Sequence, residues 1–108
     1  SRHHVGVAQC KDSFFGQHEP EKKPVSQDLL YKWDAWIKCG ALCSEMESAA
    51  LFIVGSTLKV RTGAVLLVVA NQERARQGLS NPQAHDMGIV YETSIEALRI
   101  LIAQDGER

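Results

Sequence analysis

Apolar residues along the chain gather in short dense runs, and the spacing inside each run predicts its element. His4 to Cys10 alternates weakly and carries valines, which predicts a strand. Residues 11–24 hold Gly16, two prolines and several charges, a pattern for a long loop of the kind that often carries function. Ser26 then suits a helix N-cap, with Asp28 in the first turn. Leu29, Leu30, Trp33, Trp36 and Ile37 recur at helical spacing until Gly40 stops the helix, so both tryptophans are expected on one buried, core-packing face. From Ala49 to Val54 nearly every residue is apolar or small, predicting a helix buried on most sides. Gly63 to Ala70 is a continuous apolar run of strand length, the pattern of a central strand covered on both faces. Asn71 to Asp86 is polar, with Gly78 and Pro82, and reads as a long loop or loosely helical flap. Between His85 and Ala103, Ile95, Leu98, Leu101 and Ile102 keep helical spacing. The order strand, helix, helix, strand, helix predicts an α/β fold, a layered mixed sheet flanked by helices.

Composition narrows the function classes. At 108 residues the chain has room for one domain. With 44% hydrophobic residues and a net charge of -1, it is neither disordered nor marked by the basic footprint of a nucleic-acid binder. The longest apolar run, Ala64 to Ala70, falls far short of the roughly 20 residues that span a bilayer, so no membrane partner is expected. The start, Ser1-Arg2-His3-His4, has no apolar stretch behind it and does not read as a secretory segment. Cys10, Cys39 and Cys43 lack the second Cys/His pair that would complete a zinc site, and read as small apolar residues in a reducing cytosol.

Three polar clusters stand near the carboxyl ends of predicted elements, where α/β proteins collect ligands: Asp12 to Glu19, Glu45-Met46-Glu47, and Asn71 to Arg74. Taken singly, each also fits a solvated loop, an acidic helix start or a turn. Nucleophile-elbow, Walker, zinc-protease and dinucleotide motifs are all missing from the sequence.

Asp12-Ser-Phe-Phe-Gly-Gln17, followed by Ser44-Glu-Met-Glu-Ser-Ala-Ala50 and by the run ending Val69-Ala-Asn-Gln72, resembles the nucleoside phosphorylase family in its uridine-cleaving branch. The matching blocks run in order over nearly the whole chain. What the resemblance implies is reversible phosphorolysis, uridine plus phosphate giving uracil and ribose 1-phosphate, with phosphate as co-substrate and no metal or organic cofactor. By the same resemblance Gln17 reads the uracil edge, and Phe14, Phe15, Val69 and Ala70 wall the base. Glu47 accepts hydrogen bonds from the ribose hydroxyls, Met46 packs under the sugar, and Glu45 supports them. Asn71 stands where purine-cleaving relatives carry an acid; an amide cannot protonate a purine, which favours pyrimidines.

Two departures from the family pattern bear on these expectations. Glu19 occupies the place of a uracil-contacting arginine, leaving His18 or Arg74 to supply that donor. The six arginines, Arg2, Arg61, Arg74, Arg76, Arg99 and Arg108, include none in the family's phosphate-binding motif, which lies in the N-terminal half of a longer chain. The expectation is therefore a C-terminal half of the phosphorylase fold, incomplete without an N-terminal half and assembled in the family manner as a homo-oligomer of dimers. Another nucleoside phosphorylase or nucleosidase, or a non-catalytic nucleoside-binding module, are the alternatives; uracil binding without turnover would mark the last.

Overall fold

A computed structural model of the chain describes residues 3–107, so Arg2 and Arg108 lie outside the described residues. The chain divides into two units, Ser1–Thr62 and Gly63–Arg108.

In the first unit, strand β1 (Ala8–Cys10) leads into helix α1 (Phe14–His18), a 3-10 turn (Pro20–Lys22) and helix α2 (Ser26–Lys38). Strand β2 (Cys43–Glu45) and helix α3 (Ser48–Thr57) follow. The stretch expected as loop thus folds into α1 and the 3-10 turn. Ser13 explains the first, since its Oγ accepts the Gly16 amide at 3.1 Å. Pro20 sits at the first position of the second, where its missing N–H costs nothing. Helix α2 begins at Ser26 with Asp28 in its first turn, but Val25, not Ser26, holds the cap position, and no side chain caps it. Lys32 and Lys38 pair with Asp28 and Asp34 one turn earlier, at 2.9 and 2.6 Å. Gly40, at a φ of +83°, ends the helix, and the Ala41 amide bonds back to the Trp36 carbonyl.

Packing on α2 comes chiefly from α1 and the 3-10 turn, a cover too narrow for the whole apolar face. Trp33 is buried, but Trp36 is 47% exposed, so the tryptophans part company. Helix α3 departs further. Its side chains are apolar all round, yet only Ser48 and Gly55 are covered, and Ile53 stands 68% exposed.

β1 and β2 pair in parallel with Ala8 opposite Cys43, Gln9 opposite Ser44 and Cys10 opposite Glu45. Parallel strands need a crossover, which α1, the 3-10 turn and α2 supply. Two consequences position the site. Both strands deliver their carboxyl ends to one edge. Gln9 and Ser44 share one face of the ribbon, while Cys10 and Glu45 share the other.

In the second unit, residues 63–70 form no strand, contrary to the sequence expectation. A strand exists through its hydrogen-bonded partner, and among the described residues β1 and β2 pair only with each other. Apolar patterning identifies a segment suited to a sheet; it does not provide the neighbour. Helix α4 (Gln72–Arg76) lies within the predicted flap, and α5 (Gly88–Gly106) realises the C-terminal helix with Val90 buried. No helix among the described residues is long and apolar enough to cross a membrane. The result is a mixed α/β fold with a small parallel sheet.

Candidate functional site

The parallel register brings two of the three polar clusters together. β1 runs out into Lys11 and then α1, which carries Phe14, Phe15 and Gln17; β2 runs out into Met46 and Glu47. The Lys11 amide donates to the Glu45 carbonyl at 2.9 Å, extending the ladder one step past β1.

Ser44 is the meeting point. Its Oγ lies 2.6 Å from Gln9 Oε1 and 2.7 Å from Gln17 Oε1, and accepts from Lys11 Nζ at 2.9 Å. The half-buried Gln17 amide is therefore tethered on one side. Gln9 and Lys11 lie outside the polar clusters that the sequence points to, and Ser44 enters there only as the first residue of the Ser44–Ala50 block. Their signal is the register itself, which sets Gln9 opposite Ser44 across 35 residues of chain and has no counterpart in local spacing.

Along α1, Phe14 meets Phe15 edge to face with centroids 5.2 Å apart, and His18 stacks on Phe14 at 3.9 Å. Both phenylalanines stay about half exposed, an aromatic wall open to a ligand. Glu19 is occupied by Lys22, whose ammonium lies 2.9 Å away and holds the Glu19 carboxyl below its ordinary value by hydrogen bond and charge.

On the opposite face of the ribbon, Glu45 works as a cap for α3. Its Oε2 accepts the amides of Glu47 at 2.8 Å and Ser48 at 2.7 Å, and its Oε1 accepts the Ser48 hydroxyl. Burial alone would raise its pKa. The Ser48 hydroxyl and amide, the Glu47 amide and the Cys10 thiol overcome that and hold it at about 2. Burial, followed by the Glu45 charge, pushes the neighbouring Cys43 thiol up. With Glu45 so engaged, its part is to shape the turn that presents Met46 and Glu47. Glu47 is exposed, and its carboxylate accepts a long bond, 3.2 Å, from the Met46 amide. Met46 is 39% exposed.

The third cluster belongs to the second unit. Val69, Ala70, Asn71 and Arg74 line one open hollow with Ser80, Asn81 and Pro82. Asn71 caps α4, its side chain accepting the Arg74 amide at 3.0 Å, and its own amide donates to Asn81 Oδ1 at 2.8 Å. Arg74 Nε donates to the Ser80 carbonyl at 2.6 Å, and the Ala84 amide to the Val69 carbonyl at 2.9 Å. These bonds fold the segment after Pro82 back against residue 69.

A family model described as the phosphorylase superfamily matches residues 1–103. The chain is also 55% identical over 107 residues to a uridine phosphorylase of Treponema pallidum (strain Nichols). That alignment takes in 99% of this chain and 42% of the relative, so the chain spans less than half the relative's length.

Proposed function

The chain belongs to the phosphorylase superfamily, and from that premise we propose that it supplies the base- and ribose-binding part of a uridine phosphorylase. The observation that carries the reading is the tethered Gln17 amide at the shared carboxyl edge of β1 and β2, beside the turn that presents Glu47. The 55% identity to a uridine phosphorylase supports it.

In this reading Gln17 faces the uracil edge with an oxygen and an N–H side by side, beside the wall formed by Phe14 and Phe15. Glu47 accepts hydrogen bonds from the ribose hydroxyls, and Met46 lies under the sugar. Phosphate oxygen forms a bond to the anomeric carbon while the bond from that carbon to N1 breaks. The electron pair stays with uracil and spreads onto its carbonyls, where an N–H donor stabilises it more than in the ground state. Fixing sugar and base together removes much of the entropic part of the barrier. Asn71 cannot serve as an acid for a purine ring, which fits a pyrimidine leaving group. Phosphate is the co-substrate, and no metal or organic cofactor enters. The phosphate site is contributed from outside these 108 residues, in a cytosolic homo-oligomer of dimers. His18 or Arg74 provides the donor that Glu19 does not.

Supplying uridine and phosphate to the 108-residue chain alone is expected to yield no ribose 1-phosphate, while uracil still binds. Steady turnover by the chain alone would refute the division of labour, and a chain that ignores uracil would refute the reading. In the whole protein, His18→Ala or Arg74→Ala should lower the uridine kcat/KM; unchanged kinetics in both would dismiss that pair as the donor.

A further inference from the structure

We propose that Ser44 is a positioning residue that fixes which way round the Gln17 amide faces, and thereby makes the site choose uracil over cytosine. This rests on the reading of Gln17 as the group that meets the base.

A serine hydroxyl has one hydrogen to give and two lone pairs to receive. Three polar side chains surround Ser44 Oγ within hydrogen-bond distance: Lys11, Gln9 and Gln17. An ammonium has no lone pair, so Lys11 fills one of the two acceptor positions and drives the Ser44 proton away from itself. That proton then lies toward the amide oxygens of Gln9 and Gln17, at 2.6 and 2.7 Å. The structure sets Oε1, not Nε2, of Gln17 toward Ser44. That orientation holds when the proton is shared and when Gln9 turns its Nε2 to the remaining lone pair of Ser44, and it is lost only when Gln9 alone takes the proton and Gln17 donates.

The inward bond uses one lone pair of Gln17 Oε1. Its second lone pair and an adjacent Nε2 hydrogen remain on the outer edge. Such an edge pairs with a ring N–H beside a carbonyl, which is what uracil presents. Cytosine has a bare ring nitrogen where uracil has N–H, so an oxygen held at that point meets a lone pair instead of a proton. An amide free to rotate could turn its nitrogen there and accept either base. A site with a buried polar mismatch rejects its ligand far more strongly than one that lacks a contact. The discrimination therefore depends on preventing the flip, and the Lys11, Ser44, Gln17 relay is what prevents it.

Titration calorimetry of uracil and of cytosine against the whole protein, as wild type, Ser44→Ala and Ser44→Thr, tests this. Ser44→Ala is expected to weaken uracil about five- to tenfold, the loss of one hydrogen bond, and to narrow the gap between the two bases. Ser44→Thr keeps the hydroxyl and should restore both quantities. If Ser44→Ala binds uracil as wild type does, or weakens both bases equally, the proposal is overturned while the reading of Gln17 stands. If wild type takes up no uracil, the functional reading fails and the proposal with it.

Discussion

Glu45 shows how a single carboxylate organises a site without entering it. Four donors converge on it, and their combined pull outweighs burial. Its folded-state pKa, about 2, lies below the ordinary value of 4.5, so the charged form is what the fold favours. The stability it contributes is complete above about pH 4.5 and is lost as the pH falls through 2. Thermal unfolding midpoints recorded across that window should fall more steeply for wild type than for Glu45→Gln. At neutral pH the variant should lose about 1 kcal/mol, the usual worth of a helix cap; parallel pH profiles would show that the cap is not electrostatic. The same residue marks a limit of sequence reading. The Glu-Met-Glu block points to sugar-binding acids, and only the fold separates the capping Glu45 from the exposed Glu47. Ser44 lies further from view still, since its partners are brought in by strand pairing and not by neighbours in the chain.

The longer helices are the legible elements, because their signals are local, whereas the five-residue α1 hides in a stretch that reads as loop. The apolar stripe and Gly40 announce α2, and the leucine and isoleucine spacing announces α5. Residues 63–70 carry as strong an apolar signal and yet make no strand, since a ladder depends on a second segment. Helix ends give the sharpest test at this scale. α2 and α3 both close by bonding an amide back five residues into the last turn, Ala41 to Trp36 and Val60 to Gly55. The first does so through Gly40, the second through Lys59 at a φ of +57°. A side chain in that left-handed region costs roughly 1–2 kcal/mol, and glycine avoids the cost. Space is open around Gly40, so only backbone strain is at issue there. Gly40→Ala should therefore destabilise the fold by about 1 kcal/mol and Lys59→Gly stabilise it by a similar amount. Denaturant midpoints read both, and shifts of the same sign would contradict the account.

Across the whole molecule, apolar cover is sparse. Trp33, Val90 and Pro20 are the buried apolar side chains among the described residues, while Leu51, Phe52, Ile53 and Val54 on α3 and Val65, Leu66, Val68 and Val69 beyond it stand at least two-fifths exposed. Apolar area left in water forfeits about 25 cal/mol per Å², and contiguous patches of this kind drive association. The isolated 108-residue chain should bind a hydrophobic dye such as ANS and sediment above its 12.0 kDa monomer mass. A dye-silent monomer would contradict this. Against that exposed surface, the β1–β2 register is the strictest part of the design. The crossover between the strands can gain or lose residues around Lys22–Pro24 without moving the edge where Lys11, Gln17 and Glu47 gather. A slip of one residue between the strands, by contrast, would turn Ser44 to the opposite face and put Glu45 in its place. Descendants of this chain are thus free to drift in the length of their crossover while their strand pairing is held to a single alignment.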